Sequence, residues 1–401
     1  MWKIIKNEFK LLKGQNLLSF LILVTILRKT LFNRARDMDA YNSVDANNSI
    51  AILATIIMGG IILQNWNKIR KETAACSTFI YYYVFAGFSV LWAGLNFLPI
   101  IGYKATEVIV SFVATLIIMK NLHNISSRFL FVIMSFTICN TIYLIMFLKT
   151  GLGHDNAFPL LAITEFLLVI GSIKYKLTDI KHMKHHLFVS VATIILGTSS
   201  ASWISLIIGL FFFFSISQKG LNISSAIFAA LLFYGIWSLF EEDVMKIVFG
   251  NKTKEMIENG SGREALWIAY IKGWLESPII GYGFIIGEKG GIAARYIAFA
   301  TNTAHNMMIS VLINTGLIGL IFWITFLYKQ CIICWRYSLK HNPYAQICLP
   351  AIIAMFVNSN SFPVIGSEWS PVSNPIYALL IFVFVYIPYS HHLSIRKNRK
   401  I

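Results

Sequence analysis

What most constrains this chain is the recurrence of apolar runs of roughly 17 to 25 residues along its whole length, each the length that crosses a bilayer core as an α-helix. The runs are continuous rather than alternating, which excludes a transmembrane β-barrel. Composition agrees: 57% of the 401 residues are hydrophobic, 13% are charged, and mean hydropathy is +0.66, far from an average soluble domain. The spacing predicts an all-α integral membrane protein with about twelve transmembrane helices, at 15–32, 49–66, 78–98, 101–119, 129–148, 157–173, 187–200, 201–217, 222–239, 305–328, 344–358 and 375–390. The seventh and eighth are cut from one apolar run by the small-residue turn Thr198-Ser199-Ser200-Ala201.

A net charge of +16 does not point to nucleic acid, because the basic residues sit in short loops beside apolar runs, where they orient the chain and meet anionic lipid. With both termini cytoplasmic, the inside segments 1–13, 67–77, 120–128, 174–186, 218–221, 329–342 and 391–401 hold 21 of the 34 Lys and Arg residues. Arg28, Lys29, Arg34 and Arg36 are the exception. The five cysteines form no disulfide framework, and Cys331-x-x-Cys334 reads as packing rather than a redox or zinc pair. No cleavable signal is expected, since residues 1–13 are a basic amphipathic stretch.

This gives three consecutive parts: an N-terminal bundle of about nine helices (1–239), a large external loop with an amphipathic helix (240–304), and about three C-terminal helices with a basic tail (305–401). The loop opens on Glu241, Glu242 and Asp243 and continues to "GREALWIAYIKGWLESPIIGYGF", residues 262–284. Leu266, Ile268, Ala269, Ile271, Trp274 and Leu275 recur near helical spacing, stopped by Pro278, Gly281 and Gly283. This predicts a helix lying against the membrane, then a tight glycine turn.

The candidate chemistry lies here. Arg263 keeps its charge under all conditions and grips phosphate through a planar fork. His305, at the mouth of the helix "AHNMMISVLINTGLIGL" (304–320), titrates near neutrality and sits where a helix N-terminus favours anions. Two blander readings stand beside these: Thr303, His305 and Asn306 as helix caps, and Arg263 as a snorkelling surface residue. The tract Lys181–His186 fits a positive-inside loop better than a metal tract, and in the external loop 360–375 Glu368 and Trp369 read either as an acceptor groove or as an interfacial anchor.

"GREALW" (262–267), "SPIIGYGF" (277–284) and "HNMMISVLINTGLIGL" (305–320), in this order, resemble the signature region of the O-antigen ligase and polymerase superfamily of bacterial membrane glycosyltransferases. The resemblance implies a GT-C-related, metal-independent transferase without cofactor in the bacterial inner membrane. It would take a glycan from an undecaprenyl diphosphate carrier and pass it to an acceptor hydroxyl on the outer face. Arg263 would bind the diphosphate and His305 would activate the acceptor or orient the leaving phosphate. Asn306 would join them in binding substrate. Ligases of this family commonly carry a further arginine at the turn that here reads Thr198-Ser199-Ser200-Ala201-Ser202, which leaves a second clamp unassigned; Arg295, Lys272 and Lys289 in the external loop read either as its substitutes or as solvated surface residues. The expected function is a polymerase of O-antigen, capsule or exopolysaccharide, with a chain-length regulator protein as partner. The alternatives are the ligase that moves polymer onto lipid A core and, from another class, a multi-pass transporter or flippase. A transporter would show related halves and ionisable residues at mid-membrane, neither of which the sequence suggests.

Overall fold

The computed structural model describes residues 15–32, 46–150, 157–178, 180–197, 200–217, 220–221, 263–297, 303–359, 366–367 and 373–398. They are almost wholly helical: α1 (Gln15–Phe32), α2 (Ala46–Ala75), α3 (Ser77–Phe88), α4 (Val90–Ala93), α5 (Leu98–Lys120), α6 (Ile125–Thr150), α7 (Ala157–Lys174), α8 (Ile180–Leu196) and α9 (Ser200–Ser215). After α9 a minimal antiparallel pair, Ile216–Ser217 with Gly220–Leu221, turns the chain. Then come α10 (Arg263–Glu276), α11 (Ile286–Lys289), α12 (Met307–Ser338), α13 (Pro343–Ser359), α14 (Ser373–Ile381), a π turn at Phe382–Tyr386, and α15 (Ile387–Asn398).

Among the described residues, five stretches are long and apolar enough to cross a membrane: Ser49–Ala75, Leu95–Lys120, Ile125–Phe147, Met307–Ser338 and Ser373–His392. Three shorter apolar helical stretches, Ser77–Ala93, Ala201–Ser215 and Pro343–Ser359, stand beside them. The expected count of twelve therefore also needs α1, α7 and α8, together with 222–239, which lies outside the described residues, as do Glu241, Glu242 and Asp243. The helices overrun their predicted limits, because basic residues at an interface continue a helix without difficulty: α2 includes Lys68, Arg70 and Lys71, and α12 runs on to Ser338.

Packing divides the chain into two units, Met1–His123 with Glu258–Leu327 and Phe362–Tyr377, and Asn124–Ile257 with Tyr328–Ser361 and Ala378–Ile401. In the first, α5 packs on α2 and α3, and an aromatic cluster of Phe79, Phe112, Phe326 and Tyr377 fills the space between helices, with Phe79 stacked on Phe112 at 4.2 Å. A buried ion pair joins Lys104 Nζ to Glu107 Oε2 at 3.1 Å, and the Tyr103 hydroxyl also donates to Glu107.

In the second unit, α7 lies among α6, α8, α9 and α13, and close approach depends on small residues: Gly171 faces Ile347, and Gly209 faces Leu167 and Ala354. Its interior holds a polar group. Glu165 of α7 is fully buried and accepts hydrogen bonds from Thr137 and, at 2.7 Å, from Asn140 Nδ2. His186 Nδ1 lies 2.6 Å from the same Thr137 hydroxyl. The tract Lys181–His186 is thus not a loop but the start of α8, and its last histidine is 3% exposed. Ionisable residues do lie inside the bundle, contrary to the sequence expectation. A single acid or histidine in an apolar helix barely changes the run's hydropathy, and partners on other helices satisfy it.

Candidate functional site

The first unit builds the site from three pieces of chain: α10, the glycine turn with α11, and the start of α12. The hinge is a break in α12 at Gly316, whose backbone stands at φ 65° and ψ −164°. In an unbroken helix Leu317 and Ile318 would donate to Ile313 and Asn314. Here Leu317 N donates to Pro278 O (2.9 Å) and Ile318 N to Ile279 O (3.1 Å), while the freed carbonyls of Ile313 and Asn314 accept Tyr282 N (3.0 Å) and Gly283 N (2.9 Å). The turn Pro278–Gly283 is therefore stitched into the hydrogen-bond ladder of α12. Glycine is required on both sides: a Cβ on Gly281 would lie 2.7 Å from the backbone of Asn314, Thr315 and Gly316, and one on Gly316 would overlap the Ile279 carbonyl. Gly316 thus serves to open the helix to a loop rather than to pack it closely against a neighbouring helix. The same turn is fixed to the residue that ends α3, Ser89, whose Oγ accepts Phe284 N–H at 2.8 Å.

Over this hinge sits a small apolar core of Leu266, Ala269, Tyr270, Ile292, Ala293, Ala304, Ile309 and Ile313, flanked by Trp267, Trp274 and Tyr282. Burying side chains such as Leu266, Ile309 and Ile313 contributes about 2 kcal/mol each and docks α10 on α12. The opposite face of α10 exposes Ile268, Ile271 and Leu275, with Glu264 and Lys272 among them. The helical period predicted across these residues thus divides between a docked face and an apolar outer face.

Arg263 is the first residue of α10 and is half-buried; burial draws its pKa below the ordinary value, though a guanidinium stays charged. One turn on, Trp267 Nε1 donates to Ala304 O at 2.9 Å. Arg263 thus stands one helical turn from the residue that grips the chain next to His305.

His305 does not open the helix, which begins at Met307. Asn306 is the cap: its Oδ1 accepts Met308 N (3.0 Å) and Ile309 N (3.2 Å). Two of the amides that would favour an anion are therefore already satisfied, and the helix-terminus argument transfers to Asn306 rather than to His305. His305 precedes the cap in a left-handed conformation, φ 49°. The residue as a whole is half-buried, with its Nδ1 turned away from solvent.

The other candidates separate. Arg295 is exposed and paired with Glu276 at 3.2 Å, and Glu276 also accepts the hydroxyls of Tyr282, at 2.6 Å, and Tyr296. Lys272 is nine residues beyond Arg263 on α10, about 180° around the helix, and is exposed on the other face. Lys289 ends α11, half-buried. Glu368 and Trp369 lie outside the described residues. The chain just before them, Gly366–Ser367, is held by α3, where Tyr82 and Tyr83 hydroxyls donate to Gly366 O (2.7 Å) and Ser367 O (3.0 Å).

The residue that sequence reasoning missed is Glu288. Its Oε1 accepts Ala304 N–H at 2.8 Å, and its Oε2 accepts Ser310 Oγ–H at 2.5 Å and Asn314 Nδ2–H at 3.2 Å. Burial pushes its carboxyl above the usual carboxylate range, and these bonds partly offset the rise. A lone acid in "GFIIGEKGG" carries no period or motif.

No curated protein matches this chain. Residues 186–324, which hold α8 from His186 onward, α9, Arg263, the stitched glycine turn and His305, match the family model described as O-antigen ligase. That match carries the order of motifs which the structure joins at one hinge, and over this segment the chain is similar to the O-antigen ligase family, which supports the O-antigen ligase/polymerase superfamily.

Proposed function

We propose that the chain is a polysaccharide polymerase, joining lipid-linked oligosaccharide repeat units into an O-antigen, capsule or related exopolysaccharide at the outer face of the inner membrane. The observation that supports this reading is the bond from Trp267 to Ala304, one helical turn from Arg263 and next to His305, within the segment similar to the O-antigen ligase family. Arg263 holds the diphosphate of the carrier lipid, where a half-buried guanidinium loses little to water and gives charge-assisted bonds to phosphate oxygens. His305 takes the proton from the acceptor sugar hydroxyl as that oxygen attacks the anomeric carbon. The bond to the diphosphate breaks with inversion, and the diphosphate leaves on its lipid. General-base assistance of this kind is worth about 100- to 10,000-fold in rate.

The exposed apolar face of α10, with Ile268, Ile271 and Leu275, lies on the membrane surface and sets the site at the depth of the lipid headgroups, where a lipid-linked diphosphate presents itself. The same reading gives Glu368 and Trp369 a role toward the acceptor glycan by carbohydrate hydrogen bonding and stacking, with an interfacial anchor as the alternative. Both termini are cytoplasmic.

The ligase is the second reading, favoured by the description of the matching family; the lack of an arginine at 198–202 weighs against it. Deletion of the gene followed by gel analysis of surface glycan separates them. A polymerase defect leaves core carrying a single repeat, with the ladder gone. A ligase defect leaves bare core with lipid-linked polymer accumulating. An unchanged ladder rejects both.

A further inference from the structure

Glu288 is engaged at every polar atom. Besides the four bonds to its carboxylate, the fourth from Thr303 Oγ1–H to Oε1 at 3.5 Å, its N–H donates to Asn314 Oδ1 (3.2 Å) and its C=O accepts the Tyr270 hydroxyl (3.3 Å). It therefore ties α10, the segment before α12 and the first turns of α12 to one another. The consequence falls on His305. A non-glycine residue at φ 49° carries a backbone cost of about 1–2 kcal/mol and keeps that conformation only where its neighbours over-determine it. Ala304 has both of its backbone polar groups taken by side chains, N–H by Glu288 and C=O by Trp267, and Asn306 is fixed as the cap. The residues on either side of His305, Ala304 and Asn306, are thus held by three contacts, of which the Trp267 bond acts on the peptide plane just before His305.

We infer that Glu288 is a positioning residue: by holding Ala304 N–H it fixes the strained backbone that aims the His305 imidazole at the reacting hydroxyl. This rests on the role proposed for His305. Without the carboxylate, the 304–305 peptide relaxes toward an unstrained region and the ring swings away. A misplacement of about 1 Å can cost on the order of 100-fold in rate. Arg263 is spared, because the tie from α10 to residue 288 runs to a backbone carbonyl that substitution retains. Turnover should therefore fall while donor binding holds.

The test uses the full-length protein in proteoliposomes with a lipid-diphosphate-linked repeat unit as probe, comparing wild type with Glu288→Ala, Glu288→Gln, Trp267→Phe and His305→Ala. Glu288→Ala is expected to lower kcat by about 100-fold with KM within about threefold. Glu288→Gln keeps an acceptor oxygen for Ala304 and the shape of the neutral acid, and should recover to within about tenfold of wild type. Wild-type kcat in Glu288→Ala, or a loss carried mainly by KM, overturns the assignment. Should Glu288→Ala fail to accumulate, Trp267→Phe decides, since it removes the other bond to Ala304 and keeps an aromatic ring in the core: a loss in kcat alone upholds the inference and wild-type kcat ends it. Inactive His305→Ala beside fully active Glu288→Ala removes only this proposal, whereas active His305→Ala removes the base on which it stands.

Discussion

Gly316→Ala tests the hinge that assembles the site. The substituted chain has two responses. If the break persists, alanine must hold a backbone region open essentially to glycine alone, at about 1–3 kcal/mol, and its Cβ must also displace the carbonyl of Ile279 and the amide of Ile280, 2.5 Å away. If α12 recloses instead, Leu317 and Ile318 return to Ile313 and Asn314, and the four bonds to the turn are exchanged for two within the helix. The net loss of two bonds costs about 1–3 kcal/mol, and the turn then leaves the ladder. Either way α10 and α11 lose their seat on α12. The purified protein should melt lower by on the order of 5 °C, and trypsin should cut sooner at Lys272, Lys289 and Arg295. Gly59→Ala serves as the control, because an added Cβ there meets nothing within 4 Å. A wild-type melting curve and an unchanged tryptic pattern in Gly316→Ala would refute the stitched hinge.

Other outcomes follow from the same contacts. Asn306→Ala removes a cap worth about 1 kcal/mol and should lower the melting point while leaving measurable glycan transfer, since the Asn306 carboxamide oxygen is committed to the backbone. Loss of all transfer in a stable Asn306→Ala protein would place that side chain on the substrate. The raised pKa of Glu288 means that its folded environment favours the neutral acid. Its contribution to stability is therefore complete below the ordinary carboxylate value of about 4.3 and declines as pH rises through the raised one. Melting curves against pH should show this decline in wild type and a shallower one in Glu288→Gln; equal slopes would contradict it. Chelation with EDTA should leave glycan transfer unchanged, as the family resemblance implies, and loss of activity restored by a divalent cation would count against metal-independent chemistry.

The helices were legible because bilayer thickness sets the length of an apolar run, and that rule needs no tertiary information. Their interruptions were less so. Nothing in "VLINTGLIGLIF" distinguishes a glycine that packs against a neighbouring helix from one that opens its own, because the difference lies in where Pro278–Gly283 docks, some thirty residues away in the chain. Arg263 and His305 were singled out by the order of three short motifs, and the structure shows what that order accomplishes: α10 and the glycine turn are the two pieces that seat on α12. Glu288 and Glu165 were invisible for a shared reason. Each is one acid in an apolar or glycine-rich setting, and its partners, Ala304 and Asn314 in one case, Thr137 and His186 in the other, come from other segments. Lys272 shows the reverse error: its charge and its place in the loop recommended it, but helix geometry sets it opposite Arg263.

The most direct measurement is glycan transfer by His305→Ala and Arg263→Ala in the native host, each checked for accumulation in the membrane. Loss of the surface polysaccharide ladder in both, at wild-type protein levels, is the predicted result. A wild-type ladder in either variant, at normal accumulation, would remove that residue from the mechanism and with it the claim that α10 and the start of α12 form one active site.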